Sequence, residues 1–199
     1  MDPGRMLPTG RKIWLDADDP MSAQPIPSIH ASVIVESAGE LEMPASTHLE
    51  AGCVISVGAE ARISLGERNT LYPQVVIRLR EGWLETGCEV SFGPGVKIYE
   101  TRAGLRIGDH CMLAGGVCIS GVQHGLDDLE RPMRQQPLLA LPIVIEDDVW
   151  IGMNAVIQPG VTIGAHSVIG SGSVVTRSIP PWSIAHGVPC RVRRSRRSR

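Results

Sequence analysis

The chain has 199 residues, 43% of them hydrophobic, and a net charge of −2 at neutral pH. That length and apolar content suit one domain with a real core. The small net charge gives no indication of a nucleic-acid partner. No run of 18 apolar residues occurs, so we expect no membrane insertion. One Phe, two Tyr and four Trp accompany 22 Gly and 15 Pro, a balance that favours many short strands and tight turns over a helical bundle.

The first part of the chain, residues 1–28, contains five Pro and no repeating pattern. We interpret it as an extended or poorly ordered N-terminal arm, and it lacks the apolar stretch of a secretory signal. Scattered cysteines without a C-x-x-C pair are typical of small buried hydrophobes in a reducing compartment, so we expect a cytoplasmic protein. The cysteines are Cys53, Cys88, Cys111, Cys118 and Cys190.

Aliphatic residues recur at every sixth position in the C-terminal half. Side chains six apart share one face of a strand, whereas on a helix they would point in three directions. The economical solution is one short strand and one turn for each six residues, with three such units closing a triangular coil around stacked aliphatics. The unbroken run is Ile145, Ile151, Ile157, Ile163, Ile169 and Val175.

Earlier segments keep this period with interruptions, so we predict that coils begin near residue 30 and that the repeat domain spans 29–177. Residues 120–144 leave the pattern, and a long excursion from a regular scaffold is usually functional or disordered. Residues 178–199 form a C-terminal extension that ends in six Arg within 191–199. The earlier inward positions are expected at Leu65, Leu71, Ile77, Trp83, Phe92, Ile98, Ile107, Leu113 and Ile119.

Four segments resemble the hexapeptide-repeat acyltransferases, in the branch of galactoside, maltose and polysaccharide O-acetyltransferases. They are Ile145-Glu-Asp-Asp-Val-Trp150-Ile-Gly, Ile157-Gln-Pro-Gly-Val-Thr-Ile163-Gly, Ile169-Gly-Ser-Gly-Ser-Val-Val-Thr-Arg177 and Gly187-Val-Pro-Cys-Arg191-Val. The resemblance implies an all-β fold, a single-stranded left-handed parallel β-helix shaped as a triangular prism. General topology rules would not give this handedness.

The same resemblance implies a CoA-dependent acetyltransferase that uses acetyl-CoA as co-substrate and needs no metal. The acceptor would be a small molecule or glycan, with the acetyl group moving to a hydroxyl of a sugar or polysaccharide precursor. The resemblance also implies a homotrimer with active sites in the clefts between subunits. The excursion loop of one subunit would then reach towards the next.

Acyl transfer to a hydroxyl needs a base for the hydroxyl proton and a proton for the departing thiolate. An imidazole can take and return that proton because its pKa lies near neutrality. His124, in the excursion, matches the family's catalytic histidine. Asp127, Asp128 or a backbone carbonyl could orient its ring. No Cys or Ser is placed as a nucleophile, so we expect direct transfer.

Seven further positions match family residues that contact the cofactor. Two would line the cleft beside pantetheine, one would present backbone groups to the pantetheine amides, two would stand near the cofactor, and two basic residues would meet the nucleotide end. The planar guanidinium group of Arg is well suited to phosphate, because it can donate two hydrogen bonds to one phosphate group. In that order the positions are Trp150 and Met153, Ser171, Thr176 and Arg177, and Arg191 and Arg194.

Three alternatives stay open at this point. The first is an N-acetyltransferase acting on an amino sugar or xenobiotic. The second is a γ-type carbonic anhydrase, which needs three histidines around zinc, but His110 and His124 have no evident third companion. The third is a non-catalytic β-helix scaffold.

His110 and His166 share the same phase of the repeat, which indicates a corner position for both.

Overall fold

The computed structural model describes residues 29–198. The predicted arm, residues 1–28, therefore lies outside the described residues. Residues 29–198 form 21 strands and no α-helix; their one helical turn is a 3-10 turn at Met133–Gln135. Within this range no helix is long and apolar enough to cross a membrane.

The strands are short, and they fall into three sheets. The largest sheet has eleven strands: Ile34–Ser37 (β1), Glu40–Glu42 (β2), Val54–Ser64 (β4), Val76–Thr86 (β6), Lys97–Tyr99 (β8), Leu105–Ile107 (β9), Cys118–Ser120 (β11), Ile143–Ile145 (β14), Val156–Ile157 (β16), Thr162–Ile163 (β17) and Val174–Val175 (β19). The second sheet has eight: His48–Leu49 (β3), Thr70–Leu71 (β5), Ser91–Phe92 (β7), Met112–Leu113 (β10), Trp150–Ile151 (β15), Val168–Ile169 (β18), Ser183–His186 (β20) and Arg191–Ser195 (β21). The third is the two-stranded hairpin of Val122–His124 (β12) and Leu138–Ala140 (β13).

Each strand of the column pairs in parallel with the strand one coil away, so the chain winds through about seven stacked coils. One inward stack shows how the repeat builds the core, because its members are paired in register and have no solvent exposure. The predicted fold class, a left-handed parallel β-helix, is confirmed. That stack is Ile55, Ile77, Ile98, Ile119, Ile157 and Val175.

The coils turn at corners where one residue adopts a left-handed backbone conformation. His110 and His166 occupy such positions, with φ of 58° and 61°, as their phase in the repeat predicts. Asn154 and Gly172 do the same at another corner, with φ of 57° and 67°. Non-glycine residues are uncommon at positive φ. Their presence at these corners indicates that the tight turns of the coil impose this backbone conformation.

One predicted inward position is wrong. Trp83 is 36% exposed, and the neighbouring Leu84 is fully buried in its place. Leu79 and Leu84 both point inward and lie five positions apart, so the phase of the repeat changes by one residue within β6. The cause is that β4 and β6 run continuously through a corner, with a register shift between Val57 and Glu60.

Residues beyond Arg177 continue on the column. Ile179 bridges to Ile163, and β20 pairs in parallel with β18. The chain then reverses, and β21 pairs antiparallel with β20. This last strand covers an edge that would otherwise expose unpaired backbone groups.

Candidate active site

The excursion loop begins and ends as the hairpin of β12 and β13, in which His124 lies opposite Leu138. The His124 side chain is exposed. Among residues 29–198 no hydrogen bond or ion pair engages its imidazole. The ring borders a cavity of about 400 Å³ whose lining includes Asp127 and Leu139. The ring nitrogens of such an imidazole are available to hydrogen-bond a ligand.

The tip of the loop is held by Gln136, a residue that sequence reasoning missed. Its side chain is only 7% exposed. Its Nε2 donates to the carbonyl oxygens of Asp128 at 2.7 Å and Arg131 at 3.0 Å, while its Oε1 accepts from the Asp128 N–H at 3.2 Å. A buried amide with several satisfied bonds fixes a loop that buries few of its own apolar side chains.

Of the two acids beside His124, Asp128 is used within the loop. Its Oδ1 accepts from the N–H groups of Glu130 and Arg131, both at 3.1 Å, and its Oδ2 lies 3.4 Å from the Arg131 guanidinium. Asp127 borders the same cavity as His124. The orienting group for His124 stays a prediction.

Met153, Ser171 and Thr176 flank one face of the column. This face carries β8, β11, β16 and β19, with Val156 and Val174 paired on it and both half-buried. Met153 and Ser171 stand in the turns that lead into β16 and β19, and Thr176 follows β19. The excursion loop leaves the same face directly after β11. The loop and these three positions therefore lie along a common side of the molecule.

Two of the predicted cofactor residues are large apolar side chains that the column does not bury. Trp150 is 49% exposed and Met153 is 56% exposed. Trp150 lies on the adjacent face, in β15, and Met153 occupies the corner after it. Exposed apolar side chains that are grouped in this way mark a surface for a ligand or a partner.

The predicted phosphate-binding residues are exposed guanidinium groups. Arg177 follows β19, whereas Arg191 and Arg194 lie on β21. Arg191 donates to the Cys190 carbonyl at 2.8 Å. Within the described part of the chain none of these three arginines forms an ion pair, so their charges are available to an anion.

Other histidines are engaged along a corner of the column. His110 Nδ1 lies 2.9 Å from Glu89, and His166 Nδ1 lies 2.8 Å from Asp148. The His166 ring also stacks on Trp182, with 4.1 Å between centroids. The hydrogen bond from His166, followed by the charge of Arg196, lowers the pKa of Asp148. These histidines have structural partners, unlike His124.

The zinc alternative finds no ligand set. Across residues 29–198 no group of three His, Cys, Asp or Glu side chains lies close enough to hold a metal ion. Burial raises the pKa of Cys111 to about 11, so this thiol stays protonated at neutral pH.

Comparison with known families and proteins gives one consistent result. The family model "Bacterial transferase hexapeptide (six repeats)" matches residues 142–177. A galactoside O-acetyltransferase of Escherichia coli is 47% identical over 88 residues, which are 44% of this chain and 42% of that protein. A probable acetyltransferase of Mycobacterium tuberculosis is 34% identical over 134 residues, 67% of this chain and 42% of that protein. The chain thus spans less than half the length of these relatives.

The fold is also found in solved structures. A variant of AntD, an N-acyltransferase from Bacillus cereus crystallised with dTDP and coenzyme A, superposes with a TM-score of 0.64 at 18% identity. The match covers 85% of this chain and 81% of that one. At this identity the likeness is one of fold. The matched repeats, residues 142–177, are also the segment that contains Trp150, Met153 and Ser171.

Proposed function

We propose that this chain, which belongs to the hexapeptide-repeat acyltransferase family, transfers an acetyl group from acetyl-CoA to a hydroxyl of a sugar or polysaccharide precursor. The observation that carries the proposal is the exposed imidazole of His124, free of protein partners among residues 29–198 and beside the face that leads to Ser171 and Thr176. The galactoside O-acetyltransferase relative supports a sugar hydroxyl as acceptor.

His124 acts as the general base. Its imidazole accepts the proton of the acceptor hydroxyl while the hydroxyl oxygen attacks the thioester carbonyl carbon. The tetrahedral intermediate then collapses, the carbon–sulfur bond breaks, and the proton passes from the imidazolium to the leaving thiolate. No residue becomes acetylated. The cavity of about 400 Å³ beside His124 gives the acceptor a place to approach the ring.

The residues of the column suit coenzyme A. Exposed Trp150 and Met153 offer apolar surface to the pantetheine arm. Ser171 and Thr176 stand at the two ends of the face that we assign to this arm. Arg177, together with Arg191 and Arg194 on β21, carries the positive charge that the phosphates require.

The chain works as a homotrimer in this proposal. Several large apolar side chains of the excursion loop are exposed, and a neighbouring copy would cover them. The exposed fractions are 54% for Leu126, 92% for Leu129, 63% for Met133 and 51% for Leu139. A loop that is apolar at its surface and carries the base fits an active site shared between subunits. We assign the trimer to the cytoplasm, where acetyl-CoA is made and thiols stay reduced.

The test is His124→Ala, measured as CoA release with acetyl-CoA and a panel of sugars. We expect kcat/KM to fall by about 10²- to 10⁴-fold. His110→Ala is the matched control, because His110 is also exposed but pairs with Glu89 at a corner, and its activity should equal that of the wild type. Unchanged activity of the His124 variant would eliminate the proposed base.

The same panel decides between oxygen and nitrogen acceptors. Each sugar is offered with a hydroxyl and with an amine at the same carbon, and the product is identified by mass and by its stability to mild alkali, which cleaves esters and spares amides. We expect the ester. Exclusive amide formation would instead favour an N-acetyltransferase that acts on amino sugars.

A further inference from the structure

The exposed Trp83 lies in a groove on the N-terminal coils, and no residue of the proposed acetyl-transfer site lines it. The groove encloses about 560 Å³, which is within the range of small-molecule sites. We call it the Trp83 groove; its lining is Glu40, Ala59, Glu60, Ala61, Arg62, Gly82, Trp83 and Glu85.

Trp83 is held in place as a fixed surface. Its backbone bonds twice to the fully buried Thr101: its N–H donates to the Thr101 carbonyl at 3.3 Å, and its carbonyl accepts from Thr101 Oγ1 at 2.9 Å. The indole lies against Gly104, where any Cβ would collide with the six-membered ring. Because Gly104 has no side chain, the Nε1–Cε2–Cζ2 side of the indole packs directly against the backbone. This contact restricts the ring, so little entropy is lost when a ligand covers it.

The remaining lining supplies polar groups around this aromatic face. The Arg62 guanidinium is drawn towards Glu40 at 3.8 Å and Glu42 at 3.6 Å. These are long contacts between half-exposed groups, so they orient the arginine and leave its donors available. Glu60 and Glu85 add carboxylate acceptors, and the small Ala59, Ala61 and Gly82 form walls without bulk.

An aromatic face with donors and carboxylates at its rim recognises the two sides of a sugar ring. The negative face of the indole attracts the weakly positive C–H groups, while carboxylates and guanidinium bond the hydroxyls. Three Glu against one Arg give the lining a charge of −2. That charge repels phosphorylated or carboxylated sugars and admits uncharged or amino sugars.

The groove lies on the same edge of the prism as the loop that carries His124. Trp83 bonds to Thr101 one coil above. At the next level Gly121 begins the excursion with a 3.3 Å bond from its N–H to the Tyr99 carbonyl, and Ile143 ends it with a 3.0 Å bond to the Gly104 carbonyl. Two coil spacings therefore separate the groove from the loop, about 10 Å along the column, or roughly two sugar units.

We propose that the Trp83 groove is a carbohydrate-binding subsite that takes uncharged or amino-sugar residues of an extended acceptor. The inference rests on the proposed function only in calling the bound glycan an acceptor. Saccharide binding by the groove does not depend on the reaction. The consequence is that the protein favours an oligosaccharide over a single sugar.

Binding of defined tetrasaccharides tests this directly. The probes are maltotetraose, cellotetraose, chitotetraose, its de-N-acetylated form and tetragalacturonate, measured by saturation-transfer NMR and calorimetry. We expect at least one neutral or amino probe to bind and tetragalacturonate to bind least. Trp83→Ala should raise the Kd of the best probe about tenfold, and Trp83→Phe should raise it less.

Tyr72→Ala is the matched control, because Tyr72 is also an exposed aromatic, at 41%, and does not line the groove. Its Kd should match the wild type. Arg62→Ala provides a second lining variant that leaves the core intact, so a folding defect of the Trp83 variant would not end the test. No binding by any probe at millimolar concentration, equal Kd for the wild type and both lining variants, or preference for tetragalacturonate would overturn the proposal.

CoA release measured on the same proteins separates the two proposals. If Trp83→Ala loses tetrasaccharide binding while the wild type acetylates no sugar, the groove stands and the proposed reaction fails. If the wild type acetylates sugars but the Trp83 variant treats mono- and tetrasaccharides as the wild type does, the reaction stands and the groove fails.

Discussion

The C-terminal and N-terminal coils share one core but differ in the length of each turn of the column. Between β14 and β19 the paired residues are 18 positions apart, as in Ile145 with Ile163 and Ile157 with Val175. In the earlier coils the spacing is 20 to 22, as in Ile34 with Val54, Leu84 with Leu105 and Val54 with Val76. The extra residues leave the inward stack unchanged and lie at the corners. The comparison shows that a β-helix can add surface without altering its interior.

The added corners carry arginine–glutamate ion pairs and an exposed tryptophan. Arg102 pairs with Glu81 at 2.7 Å, and Arg80 pairs with Glu100 at 3.4 Å. Trp83 stands exposed beside these ion pairs. The regular coils form the proposed cofactor face, whereas the expanded coils carry the Trp83 groove that we propose as a carbohydrate subsite.

The largest expected effect comes from a direct contrast between Leu84 and Trp83. Leu84→Ala removes a fully buried side chain and should lower the free energy of unfolding by about 2–5 kcal/mol. Ile157→Ala, in a regular coil, should cost a similar amount, because both positions belong to one column. Trp83→Ala should cost about 1 kcal/mol, since its ring is already part-solvated. Chemical denaturation with matched m-values provides the measurement. A larger loss for Trp83 than for Leu84 would contradict the phase change in β6.

Sequence periodicity could predict the regular coils because each hexad repeats the same inward residue and the same turn. It could not place Trp83, because a one-residue shift of phase moves every side chain to the other face. That shift comes from a corner that β6 passes without a turn, and no local residue signals it. Leu79 and Leu84 reveal the change only after pairing with the neighbouring coils is known.

A second contrast tests two glycines with left-handed backbones. Gly104 has φ of 102° and lies under the Trp83 ring, whereas Gly172 has φ of 67° and no atom within 4 Å of the point where a Cβ would lie. Gly172→Ala should cost about 1–2 kcal/mol from backbone strain alone. Gly104→Ala should cost about 1–2 kcal/mol more, because the methyl group displaces the indole. When Gly104→Ala is combined with Trp83→Ala, the additional loss of stability should disappear, because no indole remains for the methyl group to displace. Additive costs in the double variant would show that the ring does not rest on Gly104.

The candidate site shows the same division between what sequence can and cannot predict. His124 could be singled out because it interrupts a periodic scaffold in a segment that resembles a family motif. Gln136 could not be singled out in this way, because it stabilises the loop through three hydrogen bonds to residues five and eight positions away. Loop geometry of this kind depends on side-chain bonds and has no period to detect.

A third contrast uses two buried polar residues at equivalent positions of the column. Asn69 donates to Thr86 Oγ1 at 2.6 Å and accepts from the Val90 N–H at 2.7 Å. Ser167 donates to the Pro180 carbonyl at 3.0 Å and accepts from the Ser183 N–H at 3.2 Å. Asn69→Ala should cost about 2–3 kcal/mol, because its loss leaves a buried N–H unpaired.

Ser167→Ala should cost less, about 1 kcal/mol, because its two bonds are longer and its side chain is smaller. Thermal unfolding of both variants at one pH gives the comparison. Equal losses of stability would mean that Asn69 in the expanded coils stabilises the protein no more than Ser167 does in the regular coils.

The smallest expected effect is the loss of stability at low pH that comes from Glu89 and Asp148, the two carboxylates that pair with histidines at one corner of the column. Hydrogen bonding to His166 lowers the pKa of Asp148, and hydrogen bonding to Arg68 lowers that of Glu89. A carboxyl whose pKa is depressed by folding stabilises the protein above its ordinary pKa, about 4, and loses that contribution as pH falls through the folded value. Because Asp148 is 46% exposed, solvent screening limits the effect to less than about 1 kcal/mol.

Melting temperatures of wild type, Asp148→Asn and Glu89→Gln between about pH 6 and pH 2.5 would measure it. Each variant should melt below the wild type at pH 6, and the gap should close as pH falls below about 4. The gap should be larger for Glu89, because the Arg68 Nε donates to that carboxylate at 2.8 Å and the Arg68 Nη2 lies at 2.7 Å, whereas the Arg196 Nη1 lies 3.4 Å from the Asp148 carboxylate. A gap that widened in acid would reverse the sign and show that Asp148 is protonated more readily in the folded protein than in the unfolded one.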